Sequence, residues 1–183
     1  MQLWSQKLSQ QRTESTAMPI NIIAQSEFTH ARDITNKILR AELKQAFGIN
    51  GRRLDNFTLA GLAAATKLHL NAQRPITGLI GCAEYFSVEL LQSLLLDIDA
   101  ANPIRPLDFV ATVGNAANYY IAKEFNVTGL NLFIGSSDNS EAKLLQLAET
   151  ELMANQHQTL LLLNWHEDSN QRRCKASLVD YVA

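Results

Sequence analysis

The 183-residue chain lacks most of the features that mark specialised classes of protein. Its two cysteines are too few for a disulfide scaffold or a structural zinc site built from cysteine. The sequence has no apolar run of about 18 residues that would span a membrane, and its first residues lack the apolar centre of a signal peptide. The formal charge is −2, from 16 basic and 18 acidic residues, so no basic surplus favours nucleic acid or an anionic membrane surface. We therefore expect a cytoplasmic protein with no membrane span and no nucleic-acid partner.

What the sequence does contain is enough apolar material for one packed domain. Apolar residues make up 46% of the chain and charged residues 19%, which favours a buried core over disorder. Segments with helical periodicity alternate with short apolar runs, so we predict an α/β fold, a mostly parallel mixed sheet of about five strands covered by helices. No linker divides the chain, so residues 1–183 are predicted to form a single domain, with residues 1–26 as a loosely ordered arm. The predicted helices are 31–47, 54–68, 87–99, 115–125 and 138–155, and the predicted strands are 76–83, 108–113, 130–135, 159–165 and 174–182, the last of them near an edge of the sheet.

The junction after the strand at 130–135 gathers two serines and an aspartate in front of a long amphipathic helix. Asp138 and Glu141 have the spacing of a capping box, which favours a structural role at the helix start. Asp138 as the nucleophile of a hydrolase is an alternative, although no accompanying lysine or threonine motif supports it. A nucleophile at Ser136 or Ser137 would need the pattern Gly-x-Ser-x-Gly, whereas the sequence reads Gly-Ser-Ser-Asp-Asn.

The histidines, cysteines and glycines show no pattern of a metal or cofactor site. None of the four histidines lies within four residues of another, so the usual zinc motifs are missing. Cys82 falls in a predicted buried strand, which favours an inert packed thiol. The glycines form neither Gly-x-Gly-x-x-Gly nor a P-loop. We therefore predict no metal and no cofactor.

The helix predicted at 115–125 begins with small residues and then presents two adjacent tyrosines. Tyr119 and Tyr120 point about 100° apart on a helix, so one can pack inward while the other reaches outward. Small residues at the helix start, among them Asn115, permit close approach of another backbone. The pattern is compatible with ordinary core packing, with a subunit contact, or with the wall of an apolar ligand cavity.

The order and spacing of several segments resemble the N-terminal half of the β-ketoacyl-acyl-carrier-protein synthases. In that family a strand leads into an Asn-Ala-Ala helix, and a turn and a second strand then precede the active-site cysteine at the start of a long helix. Asn115-Ala116-Ala117 matches the helix start, Gly129-Leu130-Asn131 the turn, and residues 132–135 the strand. The resemblance covers about residues 51–167 and implies a thiolase-like half-fold. Three further segments are similar to family elements: GRRLDNFTLAGLAAATKL, ITGLIGCAEYFSVELLQSLL and TLLLLNW.

The departures from the family imply a subunit without catalytic activity. Asp138 occupies the position of the nucleophilic cysteine, and a carboxylate cannot form the acyl thioester that condensation requires. The two catalytic histidines and the lysine of the family belong to a C-terminal half that this sequence does not reach. The resemblance therefore implies that the chain is not itself an enzyme.

This combination resembles the short ketosynthase-like chain-length factors of bacterial aryl-polyene clusters. The resemblance implies a heterodimer with an active, full-length ketosynthase in type II fatty acid or polyketide elongation, with the acyl carrier protein engaged through the complex. The strand at 130–135 would pair with its counterpart in the partner, where the acyl tunnel reaches the interface. The residues predicted to line the tunnel or the interface are Asn115, Tyr119, Tyr120, Leu132, Phe133 and Ile134.

Two other functions are compatible with the same sequence. One is a stand-alone acyl-binding or scaffolding protein that binds no ketosynthase. The other is a divergent acyl-thioester hydrolase that uses Asp138 or Ser137. Co-purification with a ketosynthase separates the first from a chain-length factor, and turnover by the isolated chain identifies the second.

Overall fold

The computed structural model describes residues 20–182, which build a five-stranded sheet covered by helices. The strands lie in the order β1-β5-β4-β2-β3. β5 is antiparallel to both of its neighbours, whereas β2 is parallel to β4 and to β3. Four strands therefore run in one direction and only β5 opposes them, which confirms the mostly parallel mixed sheet. The strands are β1 (Ile20–Ala31), β2 (Gly78–Ala83), β3 (Asn131–Gly135), β4 (Thr159–Glu167) and β5 (Gln171–Tyr181).

The helices cover both faces of the sheet and divide the core into two parts. α2 and α5 pack on one face, with α1 outside α2, and α6 packs on the other face. All of β2 and the first five residues of β4 are buried, because each of these strands has helices on both sides. The helices are α1 (Asn36–Phe47), α2 (Asn56–Ala72), α3 (Val88–Asp99), α4 (Pro106–Ala111), α5 (Asn115–Glu124) and α6 (Ser140–Ala154). None of the helices in residues 20–182 has both the length and the apolar character that crossing a membrane requires.

The ends of α1 and α2 follow from the residues at their caps. α1 ends at Gly48, whose φ of +71° is a left-handed conformation that glycine adopts without strain. α2 begins after Asp55, whose side-chain oxygen accepts a hydrogen bond from the backbone N–H of Thr58 at 2.9 Å. Gly61 in the middle of α2 lets the helix lie directly against the ring of Trp165 on β4. The predicted helix 31–47 therefore ends at the observed residue, and the predicted helix 54–68 begins within two residues of the observed start.

One predicted strand is a helix. The apolar run at 108–113 lies largely in α4, which begins with Pro106 in its first turn and places Asp108 near its start. Proline fixes a helical φ, and an acidic residue complements the positive end of the helix dipole. The run therefore contributes no strand, and Phe109 on α4 is 66% exposed.

One expectation about the sheet edge is corrected and one is confirmed. Residues 20–26 belong to β1 and not to an arm, while residues 1–19 of the predicted arm lie outside the described residues. β5 is near an edge as predicted, because only β1 lies outside it in the sheet. β4 and β5 also extend further than predicted. They leave only a short turn, in which a side-chain oxygen of Asp168 accepts hydrogen bonds from the N–H groups of Asn170 and Gln171, both at 2.8 Å.

Candidate functional site

The edge strand β3 is held in place by helix α5. β3 is the last strand in the sheet order and pairs only with β2 within residues 20–182. The side-chain amide of Asn118 donates a hydrogen bond to the carbonyl oxygen of Leu132 at 2.8 Å, and Asn118 is completely buried. Asn118 is absent from the residues predicted from the sequence, although Asn115 on the same helix is among them. The signal was available, because Asn118 lies on the same side of the helix as the buried Ile121 and Ala122.

The three candidate residues of β3 divide between the two faces of the sheet. Leu132 and Ile134 pack against the core beneath α6. Phe133 points to the opposite face, as strand geometry requires, and packs against the core beneath α2 and α5. Phe133 therefore belongs to the internal packing, where its ring centroid lies 5.6 Å from that of Phe86, 6.1 Å from that of Trp165 and 6.2 Å from that of Phe57.

The two tyrosines of α5 lie away from this aromatic cluster. Their ring centroids are 5.3 Å apart in an edge-to-face arrangement. Tyr119 is 58% exposed and Tyr120 is half-buried, while Asn115 is exposed. This agrees with the expectation that one tyrosine reaches outward while the other packs more closely. The role of these residues in a tunnel or interface stays a prediction.

An apolar surface adjoins this edge through α5. We call it the α3–α4 surface, and it consists of large apolar side chains that the chain leaves exposed. α3 packs against α4, and α4 packs against α5, which in turn covers β3. This surface was not predicted from the sequence, because residues 108–113 were assigned to a strand. Its members are Val88, Leu91, Leu95, Leu96, Ile98, Leu107, Phe109, Val110 and Val113.

Asp138 lies in an exposed ion pair at the junction between β3 and α6. Its carboxylate accepts a hydrogen bond from the Lys143 ammonium at 2.7 Å. That hydrogen bond, together with the charge of Lys143, lowers the pKa of Asp138 below its ordinary value. A carboxylate held in its charged form by a cation is a poor proton acceptor.

The same lysine also reaches Ser136, but the arrangement does not make an activated serine. The Lys143 ammonium donates to Ser136 Oγ at 2.8 Å, while Ser136 donates its own proton to the backbone carbonyl of Asp138 at 2.7 Å. Lysine activates a serine only as a neutral base that takes the hydroxyl proton. Here Lys143 is a donor to both of its partners, so it does not take the proton of the hydroxyl.

The predicted capping box at this junction is not formed. α6 begins at Ser140, and Asn139 precedes it in a left-handed conformation without a side-chain hydrogen bond to the helix. Asp138 pairs with Lys143, and the carboxylate of Glu141 accepts a hydrogen bond from Lys175 on β5 at 2.6 Å. Ion pairs to neighbouring lysines therefore replace the two reciprocal hydrogen bonds of a capping box.

A cavity of about 50 Å³ lies where the parallel strands end, and we call it the strand-end cavity. The carboxyl ends of parallel strands are the usual position for ligand sites in open α/β sheets. His30 comes from the end of β1, Glu84 from just after β2, and Ser137 from just after β3. Phe57 and Trp165 contribute stacked rings with centroids 4.5 Å apart. The other lining residues are Asn56, Ala60, Tyr85, Ser136, Ser140, His166, Glu167, Arg172 and Arg173.

Arg172 is the charged centre of this cavity wall. It is buried and forms an ion pair with Glu167 at 3.0 Å and a second one with Glu89 of α3. Burial is the main cause that lowers the pKa of Arg172, and the nearby charge of Arg32 acts in the same direction. Because Glu89 is at the start of α3, Arg172 connects the sheet to the helix that carries much of the α3–α4 surface.

The two cysteines are inert packed thiols. Cys82 on β2 and Cys174 on β5 are both free and fully buried. Burial raises the pKa of each thiol, most strongly for Cys174. Histidine, cysteine and carboxylate side chains do not gather anywhere in residues 20–182 in groups of three that could hold a metal ion.

In the sheet, β5 alone runs antiparallel to the other four strands, and a polar junction lies at the carboxyl ends of the parallel strands. Together these two features define a thiolase-like α/β fold. Comparison with solved structures confirms this class. The first match is a ketosynthase, ApeO, in complex with its chain-length factor, ApeC, from Xenorhabdus doucetiae, with a TM-score of 0.69 at 11% identity over 89% of this chain and 79% of the matched chain. The ishigamide ketosynthase/chain-length factor matches with a TM-score of 0.69 at 16% identity, over 88% and 62%. PksG, an HMG-CoA synthase from Bacillus subtilis, matches with a TM-score of 0.53 at 13% identity, over 88% and 40%.

These matches confirm the resemblance to ketosynthases and chain-length factors at the level of the fold. The chain spans less than two thirds of the length of the second and third matched chains, so their activities are not carried over with the fold. No family model matches the sequence, and no curated protein matches it.

Proposed function

We propose that the chain is a catalytically silent, chain-length-factor-like subunit that pairs with an active ketosynthase in the cytoplasm. The observation that carries the proposal is the α3–α4 surface beside the edge strand β3. In this role the subunit shapes the acyl tunnel at the interface during type II fatty acid or polyketide elongation of the aryl-polyene kind. The acyl carrier protein delivers its cargo to the complex and not to this chain alone.

A protein partner explains the distribution of apolar residues better than solvent does. Monomeric proteins rarely expose a contiguous apolar patch of more than a few hundred Å², and α3 and α4 together expose leucines, valines, an isoleucine and a phenylalanine. An unpaired sheet edge beside such a patch is a ready position for strand pairing with another chain. Tyr119 lies on α5 between the patch and the edge strand, and tyrosine is enriched in protein interfaces.

The chemistry at the β3–α6 junction supports a role without catalysis. By its resemblance to the ketosynthases, Asp138 takes the position of their nucleophilic cysteine, and its carboxylate is paired with Lys143. Ser136 donates its proton to the backbone carbonyl of Asp138, and Lys143 acts as a donor toward its oxygen. The complex therefore takes its condensing activity from the partner, and we expect Asp138→Ala to leave that activity unchanged.

Co-expression with a full-length ketosynthase that has its catalytic cysteine and both histidines, followed by sizing of the complex, tests the proposal. We expect a heterodimer that Leu95→Ser and Phe109→Ser on the α3–α4 surface weaken. Met153→Ser is the matched control, because Met153 is also an exposed large apolar residue but lies on α6, across the sheet. Failure to form a heterodimer, or equal weakening by all three variants, contradicts the proposal. Acyl-thioester hydrolysis by the isolated chain that Asp138→Ala abolishes would instead identify a hydrolase.

A further inference from the structure

Helices α3 and α4 and the segment between them form a hairpin, residues 88–111, which few apolar contacts attach to the rest of the chain. Leu94 is the only buried residue of α3, and α4 has no buried residue. The backbone of α3 comes close to that of α4 and to no other helix or strand in residues 20–182. The α3–α4 hairpin therefore lies outside both parts of the core.

A groove of about 530 Å³ separates the α3–α4 hairpin from α1 and from the start of α2. Its wall on the hairpin side includes Leu90 and Leu107, and its opposite wall includes Arg40 and Leu54. A space of this size is far larger than the voids of a close-packed interior. Close packing therefore does not hold the hairpin on this side.

Two polar contacts at the start of α3 attach the hairpin to the body of the chain. The hydroxyl of Ser87, directly before α3, donates a hydrogen bond to Asp55 Oδ2 at 2.5 Å. The other oxygen of Asp55 caps α2 by accepting from the N–H of Thr58, so one carboxylate joins the starts of two helices. The second contact is the ion pair between Glu89 and the buried Arg172 on β5.

We propose that the α3–α4 hairpin opens as a unit in the isolated chain, and that Ser87 and Glu89 are positioning residues that set how often it opens. Local opening is expected where few apolar contacts hold a segment. The helices contain 12 and 6 residues, and helices of this length are marginal in water without packing. Opening therefore breaks their backbone hydrogen bonds together with the two contacts at the start of α3.

The role of this opening rests on the proposed function, although the opening itself does not. The closed hairpin presents the α3–α4 surface beside the edge strand β3. A ketosynthase that binds this surface stabilises the closed form and shifts the population toward it. Ser87 and Glu89 then act on subunit pairing through the hairpin, without a contact to the partner of their own.

Helix α6 offers a matched control for the ion pair. Glu141 is the second residue of α6, as Glu89 is of α3, and its partner Lys175 also lies on β5. The side chains of Glu89 and Glu141 are 57% and 58% exposed. Neither Glu141 nor Lys175 belongs to the hairpin, so their ion pair stays intact when the hairpin opens. Breaking it weakens the folded chain without changing the opening equilibrium.

Hydrogen exchange of the full-length chain, measured by mass spectrometry of its peptides, tests the proposal. The amides of residues 88–111 should exchange together and be at least about a hundredfold less protected than those of α2. Glu89→Gln and Ser87→Ala should each speed exchange in the hairpin by at least about twofold, and the double variant by about tenfold. Glu141→Gln should leave exchange in the hairpin unchanged.

The proposal is overturned if the hairpin exchanges as slowly as α2 or if neither Glu89→Gln nor Ser87→Ala speeds its exchange. It is also overturned if Glu141→Gln speeds exchange in the hairpin as much as Glu89→Gln does, because the hairpin would then open only when the whole chain unfolds. Addition of a full-length ketosynthase tests the proposed function separately. Slower exchange of residues 88–111 supports binding to the closed hairpin, whereas unchanged exchange contradicts the proposed function and leaves the opening of the isolated chain established.

Discussion

The side-chain amide of Asn118 donates a hydrogen bond to the backbone carbonyl oxygen of Leu132, at 2.8 Å, and so ties α5 to the edge strand of the sheet. The contact is fully buried at Asn118. Gly81 on the neighbouring strand makes room for it, because a Cβ at that position would collide with the Asn118 side chain. A strand with a sheet partner on one side only therefore receives additional support from a helix, next to the surface that we assign to the partner.

Replacing Asn118 by alanine should destabilise the protein, because the carbonyl of Leu132 loses its buried donor. We expect the free energy of unfolding in urea to fall by about 1–3 kcal/mol. Asn115→Ala changes the same residue type on the same helix at an exposed position, and it should cost no more than about 0.5 kcal/mol. Equal losses in the two variants would show that the hydrogen bond to Leu132 does not stabilise the edge strand.

Gly61 provides a second test of the packing, between α2 and β4. A Cβ at residue 61 would collide with the Trp165 ring and lie 2.8 Å from Ile121 Cδ1. Overpacking a filled core typically costs about 1–3 kcal/mol, so Gly61→Ala should lower the free energy of unfolding in spite of the better helix propensity of alanine. Gly135→Ala is the control, because a Cβ there meets no atom within 4 Å. A Gly61→Ala variant as stable as the parent would contradict the close contact with Trp165.

The parts of the fold that sequence patterns predicted are those in which local and tertiary preferences agree. β2 is apolar throughout, and β4 is apolar from Leu160 to Leu163, because both faces of each strand are covered. The predicted end of the helix 31–47 and the predicted start of the helix 54–68 lie close to Gly48 and Asp55, because a left-handed turn favours glycine and an N-cap favours a small polar residue such as aspartate. In such segments a few neighbouring residues are enough to determine the local structure.

The parts that the patterns missed depend on contacts between distant segments. An apolar run such as 108–113 suits a buried strand or an interface helix equally well, and only its position outside the sheet decides between them. β1 is rich in polar residues because it is an edge strand, so it lacked a clear apolar alternation. The strand-end cavity collects His30, Asn56 and Arg172 from remote parts of the chain. No local sequence motif predicts such a site.

The stability of the chain should depend on pH through His30. Burial lowers the pKa of this histidine below the ordinary value of 6.5, with Arg172 acting in the same direction and the Ala31 carbonyl and Glu42 opposing it. The unfolded chain therefore binds more protons than the folded chain as the pH falls below 6.5. Because excess protonation of the unfolded state favours unfolding, the free energy of unfolding should decrease over this range.

The slope of the free energy of unfolding against pH shows whether His30 is the group responsible. Urea unfolding of the parent and of His30→Phe between about pH 7.5 and 5 should give a smaller decrease for the variant, since the variant has no group at this position to protonate. His157→Phe, which alters an exposed histidine, should keep the slope of the parent. A slope unchanged by His30→Phe would mean that the ring is not desolvated in solution as it is in this structure.

Substitution of the two tyrosines on α5 tests whether their rings close the acyl tunnel. If Tyr119 and Tyr120 close the acyl tunnel at the interface, removing either ring should lengthen the product made by the ketosynthase complex, because the tunnel gains the space of the ring. Tyr119→Ala should barely alter the stability of the isolated chain, since its side chain is 58% exposed. Product length measured by mass spectrometry for both variants and for Met153→Ala, on the far side of the sheet, gives the answer. Products of parental length from both tyrosine variants in an intact complex would assign the tyrosines to subunit contact and remove them from the tunnel wall.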